Sequence, residues 1–311
     1  MRTLKTAVVT GATGFIGKAL TKELLNMGFE VYGIGRSNNK FTDLISYAKF
    51  HKIVLDFEHY DDIYEILKDK KIDIFFHASY RGVNGAEKSD YTIQLQNLNA
   101  ACITVLQAAK LQCKKYIYIG SVDEYEVAKL PDIEFSIPTH SRIYAAIKYS
   151  SEVIGKTLAY ENHLEYSAAL LVLTYGEGNA TNILPNMMIK NSLLKQNINL
   201  ITGNDYFDMI YINDAIRGII NVALHGKAYE SYFIGHETLH TFREMVEKMS
   251  EILDSNIALN FGAYPDPSYT FDYCSVDRSK LFRDTGYKCE YNLEQAIVNT
   301  KRWLLENKLV K

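Results

Sequence analysis

The chain's 311 residues are 47% hydrophobic, enough apolar material for a large core in one or two domains. A net charge of −3 and the lack of any Lys/Arg block argue against nucleic acid as the main partner. No apolar run approaches the ~20 residues needed to span a bilayer, so no membrane partner is expected.

The N-terminus, Met1-Arg2-Thr3-Leu4-Lys5, leads straight into a strand-like run and carries no signal-peptide pattern. Cys102, Cys113, Cys274 and Cys289 are scattered and form no CxxC pair. They read as reduced thiols of a cytoplasmic protein. The sequon Asn179-Ala180-Thr181 is accordingly expected to stay unmodified.

The first strand, 5–10, runs into Thr10-Gly11-Ala12-Thr13-Gly14-Phe15-Ile16-Gly17 and then an amphipathic helix at 15–27. The three glycines differ in what they permit. Gly11 allows a sharp turn, Gly14 lets backbone approach a pyrophosphate, and Gly17 lets helix pack closely on strand. The helix N-terminus offers free N–H groups and partial positive charge to the phosphates. Thr13, Phe15 and Ile16 fall in the same cofactor-binding run. Strand-like runs follow at 30–35, 51–56, 72–77, 116–121 and 167–174, with helical patterns at 60–69, 90–111 and 142–161 between them. This alternation predicts an α/β fold, a Rossmann-type doubly wound parallel sheet with ligands at the carboxyl ends of its strands.

The second half is less regular. Helices are expected at 182–195, 242–253 and 293–306, with Thr241 and Glu244 as a capping box. The stretch 264–268 reads as a loop. Strand-like 210–212 and 232–235 are expected to return to the main sheet. The expected domains are therefore 1–174 for the dinucleotide, with returning segments at about 210–235, and a smaller C-terminal α/β substrate-binding lobe of 175–209 and 236–311.

The second strand ends in Gly35-Arg36-Ser37, where an acidic residue would bind the adenosine ribose hydroxyls. A carboxylate repels a 2′-phosphate, whereas an arginine beside a hydroxyl welcomes one. NADP(H) is thus favoured over NAD(H), with Arg36 as the phosphate contact; stacking of Arg36 on adenine, or mere solvation, is the bland alternative.

Tyr144 and Lys148 lie four residues apart on a predicted helix and share a face. An ammonium nearby is expected to lower the tyrosine pKa, so that the phenol exchanges protons with a sugar hydroxyl or ketone near neutrality. Lys148 can also reach a nicotinamide ribose. Ser121, just after the strand at 116–121, can polarise the reacting oxygen. His236-Glu237-Thr238-Leu239-His240 is a literal HExxH, but it lies between a strand and a predicted N-cap, where its imidazoles do not share a helical face. No metal site is expected.

Taken with His77-Ala78-Ser79, Ser121-Val122-Asp123-Glu124-Tyr125, Thr174-Tyr175-Gly176 and 207–214, these motifs resemble the extended short-chain dehydrogenases/reductases of the nucleotide-sugar epimerase/dehydratase/reductase group. The resemblance spans essentially the whole chain. It implies Tyr144 as acid/base, Lys148 as its partner and Ser121 as the oxygen-binding residue, with Asp123 beside the substrate. It also implies Asp56 and Phe57 near the adenine, His77, Ala78 and Ser79 under the cofactor, and Asn97 or Asn99 in the helix-asparagine role. Asn182 matches the substrate-contacting asparagine. Tyr206 and Phe207 are candidates to stack on base or sugar, core packing being their bland alternative. A homodimer through helices 90–111 and 142–161 is implied as well. The family's two phosphate-clamping arginines are absent: Phe207 stands at one place, and 263–268 lacks the other. Either other groups take over, with Lys190, Lys195 and Arg217 as candidates, or the substrate is not a standard nucleotide sugar.

Val122 stands where dehydratases carry the first of an acidic pair, which weakens that reading. The pattern is closest to reductases of nucleotide-linked 4-keto-6-deoxyhexoses. NADPH-dependent reduction of a 4-keto sugar is therefore the leading expectation, and an NAD-dependent 4-epimerase the alternative. A dinucleotide-sensing regulatory protein is the non-enzyme alternative, against which intact Ser121, Tyr144 and Lys148 argue.

Overall fold

Short runs apolar on both faces alternate with amphipathic helices through the first half, and they fold as a parallel sheet covered on both sides. The computed structural model describes residues 4–129, 141–266 and 271–310. The chain begins β1 (Thr6–Thr10), α1 (Phe15–Asn26), β2 (Glu30–Gly35), β3 (Phe50–Val54), α2 (Ile63–Leu67), β4 (Ile74–His77), α3 (Tyr91–Lys110), β5 (Lys115–Ser121), α4 (Asp123–Ala128), α5 (Arg142–Glu161) and β6 (Glu165–Leu171). It continues β7 (Leu173–Tyr175), α6 (Leu184–Leu194), β8 (Ile198–Asn199), β9 (Tyr206–Phe207), β10 (Met209–Tyr211), α7 (Ile212–His225), β11 (Ser231–Ile234), β12 (His240–Thr241), α8 (Phe242–Ile252), β13 (Leu259–Asn260), α9 (Lys280–Thr285) and α10 (Leu293–Glu306).

Two units are distinguishable. The first comprises Met1–Leu170, Ile216–Phe233 and Lys280–Tyr287. It is built on a seven-stranded sheet of order β11-β6-β5-β4-β1-β2-β3, in which β1 pairs in parallel with β2 and β4, β2 with β3, and β4 with β5. The strand order reverses direction at β1, the place where such sheets bind ligands. Helices α3 and α5 pack together. Beneath them Val8, Tyr32, Phe75, Tyr116, Tyr118 and Tyr166 form the core with Ala100, Val105, Ala108 and Ala159. Much of this core is stacked aromatic: Phe75 on Tyr116 at 5.6 Å and Tyr116 on Tyr166 at 5.3 Å. Alanines on the helices leave room for these rings against the sheet.

The second unit comprises Leu171–Ala215, Ile234–Ser279 and Lys288–Lys311. Helices α6, α8 and α10 pack on one another, and three two-stranded pairs, β7–β10, β9–β12 and β8–β13, complete it. Both capping boxes, Thr241 with Glu244 and Asn292 with Gln295, are formed.

Several expectations need correction. The run 167–174 is two strands: β6 lies beside β11 in the large sheet and ends at Leu171, and β7 pairs instead with β10. The segment 210–212 does not return to the main sheet: β10 pairs with β7, and only β11 joins the large sheet. The helix expected at 60–69 is a 3-10 turn at Phe57–Asp62 followed by the short α2. Segment 280–287 belongs with the first unit, where Leu281 and Tyr287 are buried and Asp284 accepts from Lys227 and Tyr232. Of the loop at 264–268, residues 267 and 268 lie outside the described residues, as do Met1, Arg2 and Thr3. Among the described residues, no helix is long and apolar enough to cross a membrane.

Candidate active site

The glycine loop is built as close approach demands. Gly11 takes φ +69°, and a Cβ on it would stand 2.8 Å from Ala78 O and from the Ser79 backbone. A Cβ on Gly17 would stand 2.1 Å from Gly11 O, so α1 and the loop touch through bare backbone. Gly14 is the N-cap of α1 and provides no side-chain cap, which leaves the first N–H groups of the helix for a ligand. Thr13 lies against Gly35 at the end of β2. Phe15 and Ile16 are half-buried in the first turn.

Under the loop runs a buried polar chain. Tyr60 OH donates to Ser79 Oγ at 3.1 Å, and Ser79 Oγ donates to Thr10 Oγ1 at 3.0 Å. The Thr10 proton is left for His77 Nδ1, 3.1 Å away. Burial, aided by the Lys148 charge, pushes the His77 imidazolium down to about 3. His77 is therefore a neutral link that ties β4 to β1, with Thr104 Oγ1 of α3 beside the same Nδ1 at 3.2 Å.

Arg36 is exposed just past β2. Asp56 caps the following 3-10 turn by accepting from Phe57 N at 2.7 Å and is ion-paired to Arg81. The Arg81 guanidinium lies 4.4 Å from the Phe57 ring centre, so Asp56 and Phe57 are both engaged by one arginine that the sequence did not single out. Asn97 is buried, Asn99 exposed. Asn97 Oδ1 accepts from Arg81 N at 2.8 Å, and its Nδ2 donates to Arg81 O at 2.9 Å. This pairing fastens the segment after β4 to α3.

The reactive cluster gathers at the end of β5. The Ser121 hydroxyl lies near enough to the Tyr144 phenol to act on it and accepts from Asp123 N at 3.3 Å. Lys148, one turn beyond Tyr144 on α5, donates to Ile119 O at 2.7 Å and lies 4.2 Å from the Tyr80 ring centre. Burial pushes its ammonium down to about 8 against the pull of Glu124 and Asp123. Tyr80 meets Tyr144 edge-on at 5.3 Å and is anchored through its hydroxyl to Gln94 of α3 at 2.5 Å. The expected lowering of the Tyr144 pKa is overturned: burial and then the Asp123 charge raise it well above 10, with only Ser121 acting the other way. The phenol is thus a neutral proton donor. A cation near it that sequence spacing did not reveal is Lys88, from the 3-10 turn Gly85–Ser89. Its Nζ lies 4.7 Å from the Tyr144 ring centre and 3.3 Å from Asp123 Oδ2. Glu124, whose Oε1 accepts the Ser121 N–H at 2.8 Å, was also missed; the S-x-x-E pattern of 121–124 is the signal that finds it.

In the second unit, Asn182 is exposed just before α6. Its loop is held by Asn186, which donates to Asn179 O and Thr181 O at 2.8 Å each. Tyr206 is exposed, whereas Phe207 packs edge-on against Phe242 at 5.4 Å. His236 sits between β11 and β12, held to Asp208 at 3.1 Å, while His240 is 3.7 Å from Glu244. Among the described residues, no three His, Cys, Asp or Glu side chains are grouped to hold a metal ion.

The chain is 25% identical over 319 residues to an uncharacterized protein of Methanocaldococcus jannaschii, covering 98% of this chain and 97% of the other. It is 22% identical over 287 residues to CDP-abequose synthase of Yersinia pseudotuberculosis, covering 88% and 96%. Its fold is similar to that of UDP-glucuronic acid 4-epimerase from Bacillus cereus, solved with UDP-glucuronic acid and NAD, with a TM-score of 0.78, 20% identity, and 97% and 99% of the two chains covered. The NAD dependent epimerase/dehydratase family profile matches residues 7–235. The chain belongs to the NAD dependent epimerase/dehydratase family.

Proposed function

We propose that the protein is a dinucleotide-dependent oxidoreductase that reduces the 4-keto group of a nucleotide-linked sugar, with Tyr144 as proton donor. The observation that carries this reading is the gathering of Ser121, Tyr144 and Lys148 at the carboxyl end of β5, where Lys148 donates to Ile119 O and Ser121 faces the phenol. The residues around the glycine turn fit the cofactor: Gly11 and Gly17 let the turn close on the segment after β4 and on α1 through bare backbone, and Gly14 leaves the α1 N-terminus uncapped. A nicotinamide dinucleotide supplies the hydride in such chemistry. Gly11, Thr13, Gly14, Phe15, Ile16 and Gly17 would hold its phosphates, and Asp56, Phe57, Ala78 and Ser79 its adenosine half.

The chain's own residues account for the proton. Ser121 holds the carbonyl oxygen beside the phenol. Tyr144, protonated at neutral pH, gives its proton to that oxygen as negative charge develops. The resulting phenolate has the ammonium of Lys88 beside it. Lys148, with an ammonium poised at about 8, carries a proton that it can release near neutrality. Asp123, Asn182 and Tyr206 are assigned to the nucleotide sugar.

NADP(H) is the favoured cofactor in this reading, supported by exposed Arg36 beside Ser37 where a carboxylate is missing. The second reading, an NAD-dependent 4-epimerase, is favoured by the likeness to the Bacillus cereus enzyme. Purified protein separates them. Cofactor-free protein that oxidises NADPH on adding a nucleotide-linked 4-keto sugar supports the reductase. Tightly retained NAD with interconversion of 4-epimers supports the other. We further assign a cytoplasmic homodimer formed through α3 and α5, supported by exposed Leu95, Leu106, Tyr149, Val153 and Ile154 on those helices. A monomer by light scattering removes the dimer.

A further inference from the structure

Behind Ser121 lies a buried carboxyl pair that the reaction above does not use. Glu124, in the first turn of α4, is 2% exposed. Its Oε1 accepts the Ser121 N–H at 2.8 Å and lies so close to Gly120 that a Cβ there would stand 2.3 Å from it. Its Oε2 is buried and meets no donor. The other buried acid that acts on this side chain is Glu152 on α5. Glu152 Oε1 takes Lys156 Nζ at 2.5 Å and also the Ser231 hydroxyl, so Glu152 already has a cation and a hydroxyl donor as partners.

Two buried carboxylates that act on each other do not both ionise. A proton on Glu124 removes the cost of a buried charge on its orphaned oxygen. Of the other groups facing Glu124, Lys148 favours its ionised form, and Tyr118, Tyr166, Tyr80 and Tyr144 are neutral phenols. Burial and the Glu152 charge outweigh Lys148 and raise the Glu124 carboxyl well above the usual range. Ser121-Val122-Asp123-Glu124 has the form of a capping box, with Asp123 N on Ser121 Oγ at 3.3 Å. An exposed box satisfies its helix and nothing more. This one is turned inward, and its first residue carries the reactive hydroxyl.

We propose that Glu124 is a positioning residue for Ser121: buried in the first turn of α4 and accepting the Ser121 N–H, it pins the Ser121 main chain and holds the hydroxyl at the Tyr144 phenol. The role of Ser121 in turnover rests on the reading above; the carboxyl pair does not. Glu124→Gln keeps an acceptor for the Ser121 N–H and cannot ionise, whereas Glu124→Ala removes the acceptor. Hydrogen exchange read by mass spectrometry on the full chain is expected to show the Ser121 amide still protected in the glutamine variant and roughly tenfold or more less protected in the alanine variant. For turnover, the glutamine variant is expected near wild type, and the alanine variant to lose about tenfold or more in kcat with dinucleotide KM unchanged.

A raised native pKa means that the wild type loses stability as pH climbs above the unfolded carboxyl value, a loss the glutamine variant does not suffer. The Tm gap in favour of Glu124→Gln is therefore expected to widen between about pH 5 and about pH 8. A flat gap, or a glutamine variant as exposed or as slow as the alanine variant, overturns the proposal, as does an alanine variant with wild-type exchange and turnover. If alanine prevents folding, the glutamine variant decides through its Tm gap and exchange. If the wild type turns over no nucleotide sugar, the proposed function fails, while exchange and Tm still decide the carboxyl pair.

Discussion

The ammonium of Lys88 lies 4.7 Å from the centre of the Tyr144 ring, and the same ammonium is 3.3 Å from Asp123. The phenol is therefore flanked by opposite charges, with Asp123 raising its pKa and Lys88 offsetting Asp123. In the reductive direction Tyr144 must be protonated, so rate falls at high pH as the phenol ionises. Asp123→Asn removes the raising charge and is expected to move the basic limb of the kcat/KM profile down by ~1 pH unit. Lys88→Met leaves Asp123 unopposed and is expected to move that limb up. A limb that stays put in both variants removes the charge pair from the chemistry.

Tyr144→Phe deletes the proton donor and leaves the buried ring against Tyr80 in place. Turnover is expected to fall by ~100- to 10,000-fold, with dinucleotide affinity by fluorescence titration unchanged. A parallel loss of dinucleotide binding assigns the phenol to the cofactor instead.

The sequence made the parallel sheet legible because its strands are apolar on both faces and its glycine turn sits between a strand and a helix. It made Tyr144 and Lys148 legible because helical spacing fixes their face. The direction of the Tyr144 pKa was not legible: it depends on burial and on Asp123, whereas spacing pointed only to Lys148. Lys88 and Arg81 were invisible because they reach Tyr144, Asp56 and Phe57 from irregular segments with no period. Helix α7 was missed because Ile210 to Ile212 read as β-branched strand, although Ala215, Ile216, Ile219 and Ile220 carry helical spacing and are buried.

Arg36 is exposed at the end of β2, with Ser37 beside it. If the pair receives a 2′-phosphate, Arg36→Ala is expected to raise KM for NADPH by about tenfold or more and to leave KM for NADH nearly unchanged. Initial-rate kinetics with both cofactors read the ratio. Equal changes, or a wild type that uses only NADH, assign the site to NAD.

Gly14 and Gly17 are expected to fail differently. A Cβ on Gly17 meets Gly11 O at 2.1 Å, backbone against backbone, so the start of α1 must move off the loop. Gly17→Ala is expected to cost ~1–3 kcal/mol of stability and to abolish dinucleotide binding with it. A Cβ on Gly14 meets the same oxygen at 3.3 Å, and its φ of −80° and ψ of 175° are open to any residue. Gly14→Ala is therefore expected to keep nearly all its stability while crowding the surface where phosphate approaches, weakening dinucleotide binding alone. Thermal unfolding with and without dinucleotide distinguishes the two: the glycine tied to the fold lowers Tm in both conditions, and the glycine kept for the ligand lowers only the Tm gain on binding. The reverse assignment of these two signatures would mean that Gly14 holds the helix to the strand and Gly17 faces the phosphates, against the Cβ distances at both positions.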